Sequence, residues 1–88
     1  MAYVYILESL KSGRYYIGCS NDVERRLKKH NAGVVQATKK HRPFGLRLKQ
    51  EFQNITEARQ VEAKLKRLKR RDYIQRAIEN QKIEFRNR

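Results

Sequence analysis

The stretch Tyr3-Val4-Tyr5-Ile6-Leu7 is dense in aromatic and β-branched side chains. Residues of these kinds favour a β-strand. A second stretch of similar character, Tyr15-Tyr16-Ile17-Gly18, follows after the turn-forming pair Ser12-Gly13. Since the connection is short, we expect the two strands to pair antiparallel as a hairpin.

The residues after the hairpin predict a first helix and then a basic loop. Asn21 is the expected N-cap, and Glu24 stands three residues later in a capping-box arrangement. The helix is predicted over about residues 22–32, where Gly33 ends it. The segment 34–43 has no apolar periodicity and is rich in cationic side chains, which predicts a loop.

The second half of the chain predicts one strand and two helices. Residues 45–52 alternate between apolar and polar side chains, which indicates a third strand. Thr56 is the expected cap of a second helix, and a break near Arg71-Asp72 separates it from a short third helix. The apolar positions of these two helices are Ala58, Val61, Leu65, Leu68, Ile74, Ala77 and Ile78. The predicted class is α+β, a three-stranded antiparallel sheet flanked by helices in the order β-β-α-β-α-α.

Length and charge restrict the class of protein further. The chain has 88 residues, enough for one domain, which we expect to span 1–80 with a flexible tail over 81–88. Lys and Arg number 22 against 9 Asp and Glu, a net charge of +13 that makes nucleic acid the expected partner.

No apolar run approaches the roughly 20 residues of a membrane span. Cys19 is the single cysteine, which excludes disulfides and a cysteine-based zinc site. We therefore expect a cytoplasmic protein.

The projection of the first predicted helix separates two adjacent arginines. Val23 and Leu27 mark its buried stripe. Arg26 and His30 are four residues apart and are neighbours on one flank of that stripe. Arg25 points nearly opposite, into solvent. Arg26 is therefore the arginine placed to line a cleft that faces the sheet.

The second predicted helix places one carboxylate at the border of its apolar stripe. Glu62 stands there on a helix otherwise crowded with cations, and such a carboxylate can hold a hard divalent cation. If the hairpin register turns Tyr5 and Tyr16 to the same side, the two phenols converge near this carboxylate and near the arginine and histidine of the first helix. The sequence alone leaves the register open.

These residue types together suit the hydrolysis of a phosphodiester. A guanidinium matches the phosphoryl oxygens, and a phenol or an imidazole can relay the proton of the attacking water. One divalent ion on a carboxylate can stabilise the leaving oxygen.

Each of these residues also has a purely structural explanation. Strand tyrosines pack in cores, and an imidazolium near the C-terminus of a helix is favoured by the helix dipole. Glu62 can pair with Lys66 four residues later, and a lone arginine can be a solvated charge. We expect His41, in the basic loop, to contact phosphate or to be idle rather than catalytic.

Residues 2–74 resemble the GIY-YIG nuclease domain, in particular the small stand-alone bacterial proteins that consist of little else. The second motif is intact as Tyr16-Ile17-Gly18, and the first is Tyr3-Val4-Tyr5, in which the tyrosine is kept and the first glycine replaced. The segment 18–33 is similar to the one that follows the second motif, and residues 58–64 look like the family's metal-carboxylate helix.

The resemblance implies a role for each residue of the candidate site. Tyr5 is expected to help activate the attacking water, and Tyr16 to support it or the phosphate. Arg26 is expected to hold the scissile phosphate and His30 to hydrogen-bond or shuttle a proton. Glu62 is expected to ligate one Mg²⁺ or Mn²⁺ ion.

We therefore expect a metal-dependent endonuclease-like domain that hydrolyses DNA phosphodiester bonds. The part of the chain that resembles the family has no separate DNA-targeting domain. We therefore expect little sequence specificity and a protein partner that directs the chain to its target. The alternative is a non-catalytic nucleic-acid-binding module that keeps the fold, and a third, weaker hypothesis is an RNA-associated basic protein. The residues expected to contact backbone phosphates without base specificity are Lys39, Lys40, His41, Arg42, Lys66, Lys69 and Arg70.

Overall fold

The computed structural model describes residues 1–68 and 70–85. A hairpin opens the chain and is followed by a helix, a third strand and two further helices, so the predicted α+β class and the order β-β-α-β-α-α are confirmed. The strands are β1 (Ala2–Ser9), β2 (Tyr15–Ser20) and β3 (Phe44–Phe52). The helices are α1 (Val23–Asn31), α2 (Ile55–Leu68) and α3 (Arg71–Asn80), with one short 3₁₀ turn at Lys39–His41.

β1 is the central strand of the antiparallel sheet, whose strand order is β2-β1-β3. Residues 4–7 of this strand are all buried, with 3% exposure or less, because helices cover both faces of the sheet. Side chains alternate along a strand, so Val4 and Ile6 point to one face while Tyr5 and Leu7 point to the other. The density of aromatic and β-branched residues in this stretch is thus the signature of a strand buried on both sides.

The two faces of the sheet carry cores of different size. On the face of Val4 and Ile6, α2 and α3 pack a large cluster that includes Leu48, Leu65 and Ile74. On the face of Tyr5 and Leu7, α1 packs a smaller cluster whose other buried members are Val23 and Phe44. A fully buried apolar side chain contributes about 1.5–3 kcal/mol, so the α2–α3 face provides most of the apolar stabilisation. The thinner α1 face contains more polar groups.

The cap of α1 differs from the predicted one. Asp22, not Asn21, caps the helix, because its carboxylate accepts the backbone N–H of Arg25 at 3.1 Å. Glu24 forms no capping box and instead pairs with Lys49 at 3.2 Å. The predicted box was placed one residue too early, which moves the true N3 position to an arginine.

The boundaries of α2 and α3 also differ slightly from the prediction. Asn54, not Thr56, caps α2, since its side-chain oxygen accepts the Glu57 N–H at 2.9 Å. α2 ends at Leu68 and α3 begins at Arg71, so the break lies before Arg71. Within the described residues, no helix has both the length and the apolar character needed to cross a bilayer.

The segment after α3 is packed, at least as far as Phe85, and this corrects the expectation of a loose tail from residue 81. Ile83 is 5% exposed, and its N–H donates to the Gln50 side-chain oxygen at 2.6 Å. Phe85 stacks on Tyr73 of α3, with ring centroids 5.8 Å apart. Apolar burial and a side-chain bond to β3 thus extend the ordered domain beyond residue 80, and the remaining tail residues 86–88 lie outside the described part of the chain.

Candidate active site

A tyrosine packed on a glycine marks the α1 face of the sheet. The hairpin register pairs Tyr5 with Gly18 and Leu7 with Tyr16, so both phenols lie on this face. A Cβ atom at Gly18 would lie 2.4 Å from the Tyr5 hydroxyl oxygen. No larger residue fits beneath the ring, so Gly18 provides the space that the Tyr5 phenol occupies.

The Tyr5 hydroxyl oxygen is not completely buried, although the residue as a whole is only 3% exposed. Among residues 1–68 and 70–85, the hydroxyl has no hydrogen-bond partner. In the same residues, no fully buried side-chain oxygen or nitrogen lacks a partner, so the hydroxyl oxygen is not sealed from water. A phenol with a packed ring and an open hydroxyl is well placed to bind a water or a ligand oxygen.

His30, on the last turn of α1, is buried beside this phenol. It is 6% exposed, and its ring meets the Tyr5 ring edge to face with centroids 6.5 Å apart. Its Nδ1 lies 2.8 Å from the hydroxyl oxygen of Thr38, which is itself buried. The loop after α1 therefore closes over the helix and fixes the orientation of the imidazole.

The environment of His30 favours a neutral ring. Burial, and secondly the charge of Arg26, lowers the pKa of His30 below its ordinary value near 6.5. The Thr38 hydroxyl donates its one hydrogen to the Val35 carbonyl at 3.4 Å, so we assign Nδ1 of His30 as the donor to Thr38. Nε2 is then unprotonated and can accept a proton. A dipole-stabilised imidazolium, the structural alternative, is disfavoured.

Tyr16 lies between Phe44 and His41 rather than beside His30. Its ring centroid is 5.2 Å from that of Phe44 and 6.0 Å from that of His41. His41 Nδ1 is 3.1 Å from the Ser12 hydroxyl oxygen, and the buried Ser9 hydroxyl donates to the His41 carbonyl. His41, expected at most to contact phosphate, is thus a neighbour of a candidate catalytic tyrosine. The position of His41 in the sequence did not predict this contact with Tyr16, because a 3₁₀ turn within a long loop brings the two side chains together.

The two arginines of α1 differ in their effect on His30. Arg26 is close enough to His30 for its charge to lower the histidine pKa. Arg25 contributes only its backbone N–H to the cap. Both side chains are exposed, so Arg26 can meet a ligand at the rim of the face that holds Tyr5.

Glu62 lies on the opposite face of β2 from the two phenols. Its Oε1 accepts a hydrogen bond from the Cys19 thiol at 3.2 Å, and its Oε2 pairs with Lys66 at 2.9 Å. Cys19 is the partner of Val4 and packs against the α2–α3 core. The prediction that Glu62 converges with the two tyrosines on one face of the sheet is therefore wrong, because α2 packs on the face to which Val4 points. Both Tyr5 and Glu62 nevertheless contact β2, the edge strand of the sheet, through Gly18 and Cys19 respectively.

The thiol beside Glu62 is a donor. Burial, then the hydrogen bond and charge of Glu62, raises the pKa of Cys19. The protonated thiol therefore persists at neutral pH and holds one carboxylate oxygen in place. In the sequence, Cys19 served only to exclude disulfides and a zinc site, and this contact with Glu62 was not predicted.

The side chains around Glu62 could hold a divalent ion only if water and substrate supply most of its ligands. Within the described residues there is no group of three or more His, Cys, Asp or Glu side chains that could enclose a metal. Mg²⁺ is commonly held by one or two carboxylates, with water and substrate phosphates as its other ligands. Glu62, with a side chain 19% exposed, fits that pattern if Lys66 releases it.

The residues expected to contact phosphates form two separate groups. Lys39, Lys40 and Arg42 line a shallow cavity with Lys11, which the sequence reasoning missed because it belongs to the hairpin turn. Among the described residues, none of these four cations has an acidic partner.

The second group lies at the other face and is partly neutralised. Lys66 pairs with Glu62, and Arg70 pairs with Asp72 at 2.7 Å. Lys69, also expected to contact phosphate, lies outside the described residues. Of the lysines and arginines expected to contact phosphate, those without an acidic partner among the described residues are therefore Lys39, Lys40 and Arg42 of the first group.

Acidification is expected to destabilise the protein through His30. In the unfolded chain this group has its ordinary pKa of about 6.5, and in the folded chain a lower one. Below about pH 6.5 the unfolded state binds more protons, so the free energy of unfolding falls as the pH drops. Urea unfolding at about pH 7.5 and about pH 5.5 measures this change. The His30→Gln variant should lack this component, and an equal fall in both proteins would contradict it.

Comparison with known proteins identifies similar sequences and a similar fold. The model described as the GIY-YIG catalytic domain matches residues 1–76. A UPF0213 protein of Streptococcus pneumoniae is 42% identical over 81 residues, 91% of this chain and 81% of the relative. A UPF0213 protein of Halobacterium salinarum is 38% identical over 71 residues, 80% of this chain and 91% of the relative. The solution NMR structure of a UPF0213 protein from Bacillus halodurans has a TM-score of 0.53 and 42% identity, covering 85% of this chain and 81% of the other.

Proposed function

Because the chain belongs to the GIY-YIG catalytic domain family, which indicates a nuclease-like function, we propose that it is a metal-dependent endonuclease that hydrolyses DNA phosphodiester bonds. The main support for the proposal is the set of side chains on the face of the sheet that α1 covers. There, the hydroxyl of Tyr5 is not fully buried, its ring meets the buried imidazole of His30, and the exposed guanidinium of Arg26 is close enough to help lower the pKa of that imidazole. The loop after α1 adds cations that have no acidic partner among the described residues.

The α1 face supplies groups for both charge and proton transfer. The Arg26 guanidinium would bind oxygens of the scissile phosphate and neutralise the charge that grows on them in the transition state. The Tyr5 hydroxyl would hold the attacking water by a hydrogen bond. Nε2 of His30, unprotonated in the assigned tautomer, would take up a proton within hydrogen-bond reach. Tyr16, between Phe44 and His41, would contact the phosphate or support Tyr5.

Glu62 would hold a Mg²⁺ or Mn²⁺ ion, which supplies charge stabilisation at the leaving oxygen when it is bound. The Cys19 thiol would keep the carboxylate oriented through its hydrogen bond to Oε1. Lys66 would give up its ion pair to a substrate phosphate. Because Glu62 lies across the edge strand from Tyr5, the substrate would have to reach both sides of β2.

Binding of the DNA backbone would fall mainly to the loop that follows α1. Lys39, Lys40 and Arg42, together with Lys11, present positive charge without acidic partners among the described residues. Contacts of this kind hold phosphates and carry no sequence information. The expected specificity for sequence is therefore low.

Removal of the candidate metal carboxylate is expected to abolish cleavage. The experiment measures nicking of supercoiled plasmid and of branched DNA with Mg²⁺ or Mn²⁺ for wild type, Glu62→Gln and Tyr5→Phe. Loss of a metal ligand or a positioned hydroxyl should lower the rate roughly 10²-fold or more. Glu79→Gln, an exposed carboxylate change on α3, is the matched control and should nick like wild type. Equal nicking by all four proteins would refute the proposal and identify a contaminating nuclease.

The position of Glu62 also supports a second candidate function, a non-catalytic nucleic-acid-binding module. The carboxylate is engaged by Cys19 and Lys66 on the face away from the phenols, as in a structural ion pair. Such a module would bind DNA with a steep salt dependence and cleave nothing. Its binding would be insensitive to Glu62→Gln. Preferential retention of RNA over DNA at high salt would instead favour an RNA-associated role.

A further inference from the structure

A second cavity, separate from the candidate active site, lies between the end of α2, α3 and the segment that follows α3. Its volume is about 290 Å³, near the lower end of the range of ligand pockets. It is built on the α2–α3 face, so the sheet separates it from Tyr5 and His30.

One wall of this α3 cavity is aromatic. Tyr73 and Phe85 are stacked, with an interplanar angle of 12° and centroids 5.8 Å apart. Both are only half-buried, and the Lys64 ammonium lies 4.3 Å from the centroid of the Phe85 ring. The ammonium lies over the ring itself, so an unstacked nucleobase, which packs on a flat aromatic face, would displace Lys64 from Phe85.

The charge of the α3 cavity is strongly positive. Its lining has four cations and one carboxylate, namely Lys64, Arg70, Arg76, Lys82 and Glu84. Lys82 pairs with Glu84, and Arg70 pairs with Asp72 outside the lining. In the part of the chain that the structure describes, Lys64 and Arg76 have no acidic partner.

We propose that the α3 cavity binds one nucleotide of a single-stranded nucleic acid. The base would pack on the Phe85 ring in place of the Lys64 ammonium, and the phosphate would bind Arg76. The Asn80 amide, which also lines the cavity, could hydrogen-bond a base edge. Bases of a duplex are stacked on each other and cannot enter such a cavity, which makes an unpaired strand the occupant. This site is independent of hydrolysis at the α1 face.

Fluorescence anisotropy with a labelled oligothymidylate of about eight nucleotides tests the proposal. The titration contains no added divalent metal, so that it reports binding whether or not the protein is a nuclease. Arg76→Ala and Phe85→Leu should each weaken single-strand binding about fivefold or more. Leucine keeps the apolar contact of Phe85 with the core, and circular dichroism checks that both variants fold. Arg67→Ala, an exposed charge change on α2 outside the cavity, is the matched control and should have a clearly smaller effect.

Three results would overturn the proposal. If Arg67→Ala weakened binding as much as Arg76→Ala, single-strand binding would depend on the total charge of the protein and not on the cavity. An unchanged affinity of Phe85→Leu for the oligonucleotide would show that the Phe85 ring does not bind a base. Full competition by thymidine monophosphate at the concentration of the oligonucleotide would reassign the cavity to a free nucleotide.

Discussion

Gly18→Ala is expected to destabilise the protein and to disable the candidate site together. The new Cβ would lie 2.4 Å from the Tyr5 hydroxyl oxygen and 2.5 Å from the adjacent ring carbon, so the ring has to leave its place. Overpacking of this kind costs about 1–3 kcal/mol. Because the phenol hydroxyl moves with the ring, nicking should fall roughly 10²-fold, the typical effect of a displacement of about 1 Å.

A matched alanine substitution separates this effect from the general consequences of replacing a glycine in a strand. Gly45, in β3, has its nearest neighbour for a new Cβ at 3.7 Å, the Leu10 side chain, which is an ordinary contact. Gly45→Ala should therefore change the free energy of unfolding by less than about 0.5 kcal/mol. Urea unfolding and plasmid nicking are measured on both variants. If Gly18→Ala behaves like Gly45→Ala, the packing of Tyr5 on Gly18 does not control the site.

Arg26→Ala is expected to lower nicking roughly 10²–10³-fold, the usual effect of removing one preorganised group that stabilises transition-state charge. Arg25→Ala removes the same charge from the neighbouring position and should lower the rate only slightly, through weaker general attraction of DNA. Arg26→Lys should restore little, because an ammonium cannot form the two parallel bonds of a guanidinium. Equal losses in Arg25→Ala and Arg26→Ala would refute the assignment.

The same substitution has a readout that is independent of cleavage. The charge of Arg26 helps to lower the pKa of His30, so Arg26→Ala should raise that pKa, and Arg25→Ala should leave it nearly unchanged. An NMR titration of the His30 ring measures both variants. An unchanged His30 pKa in Arg26→Ala would show that the arginine is turned away from the α1 face.

Local patterns in the sequence identified the family and the order of the elements, and they predicted a difference between Arg25 and Arg26 that the experiments above test. The resemblance to the GIY-YIG family is confirmed over residues 1–76. Alternation along β1 follows from the period of a strand, and the position of Arg26 follows from the period of a helix, so neither needs a partner element to be known. The predicted roles of Tyr5, Tyr16, Arg26, His30 and Glu62 remain predictions for the experiments above.

The way in which the helices and strands face one another depends on contacts between residues that are distant in the sequence. The face of the sheet on which α2 packs depends on chain crossing and core packing, and this placed Glu62 beside Cys19 instead of beside Tyr5. Long-range contacts likewise put His41 next to Tyr16 and Thr38 on His30. Short-range periodicity specifies which side of its own helix or strand a residue occupies. The side of the sheet against which that helix lies is set by the burial of apolar surface over the whole chain.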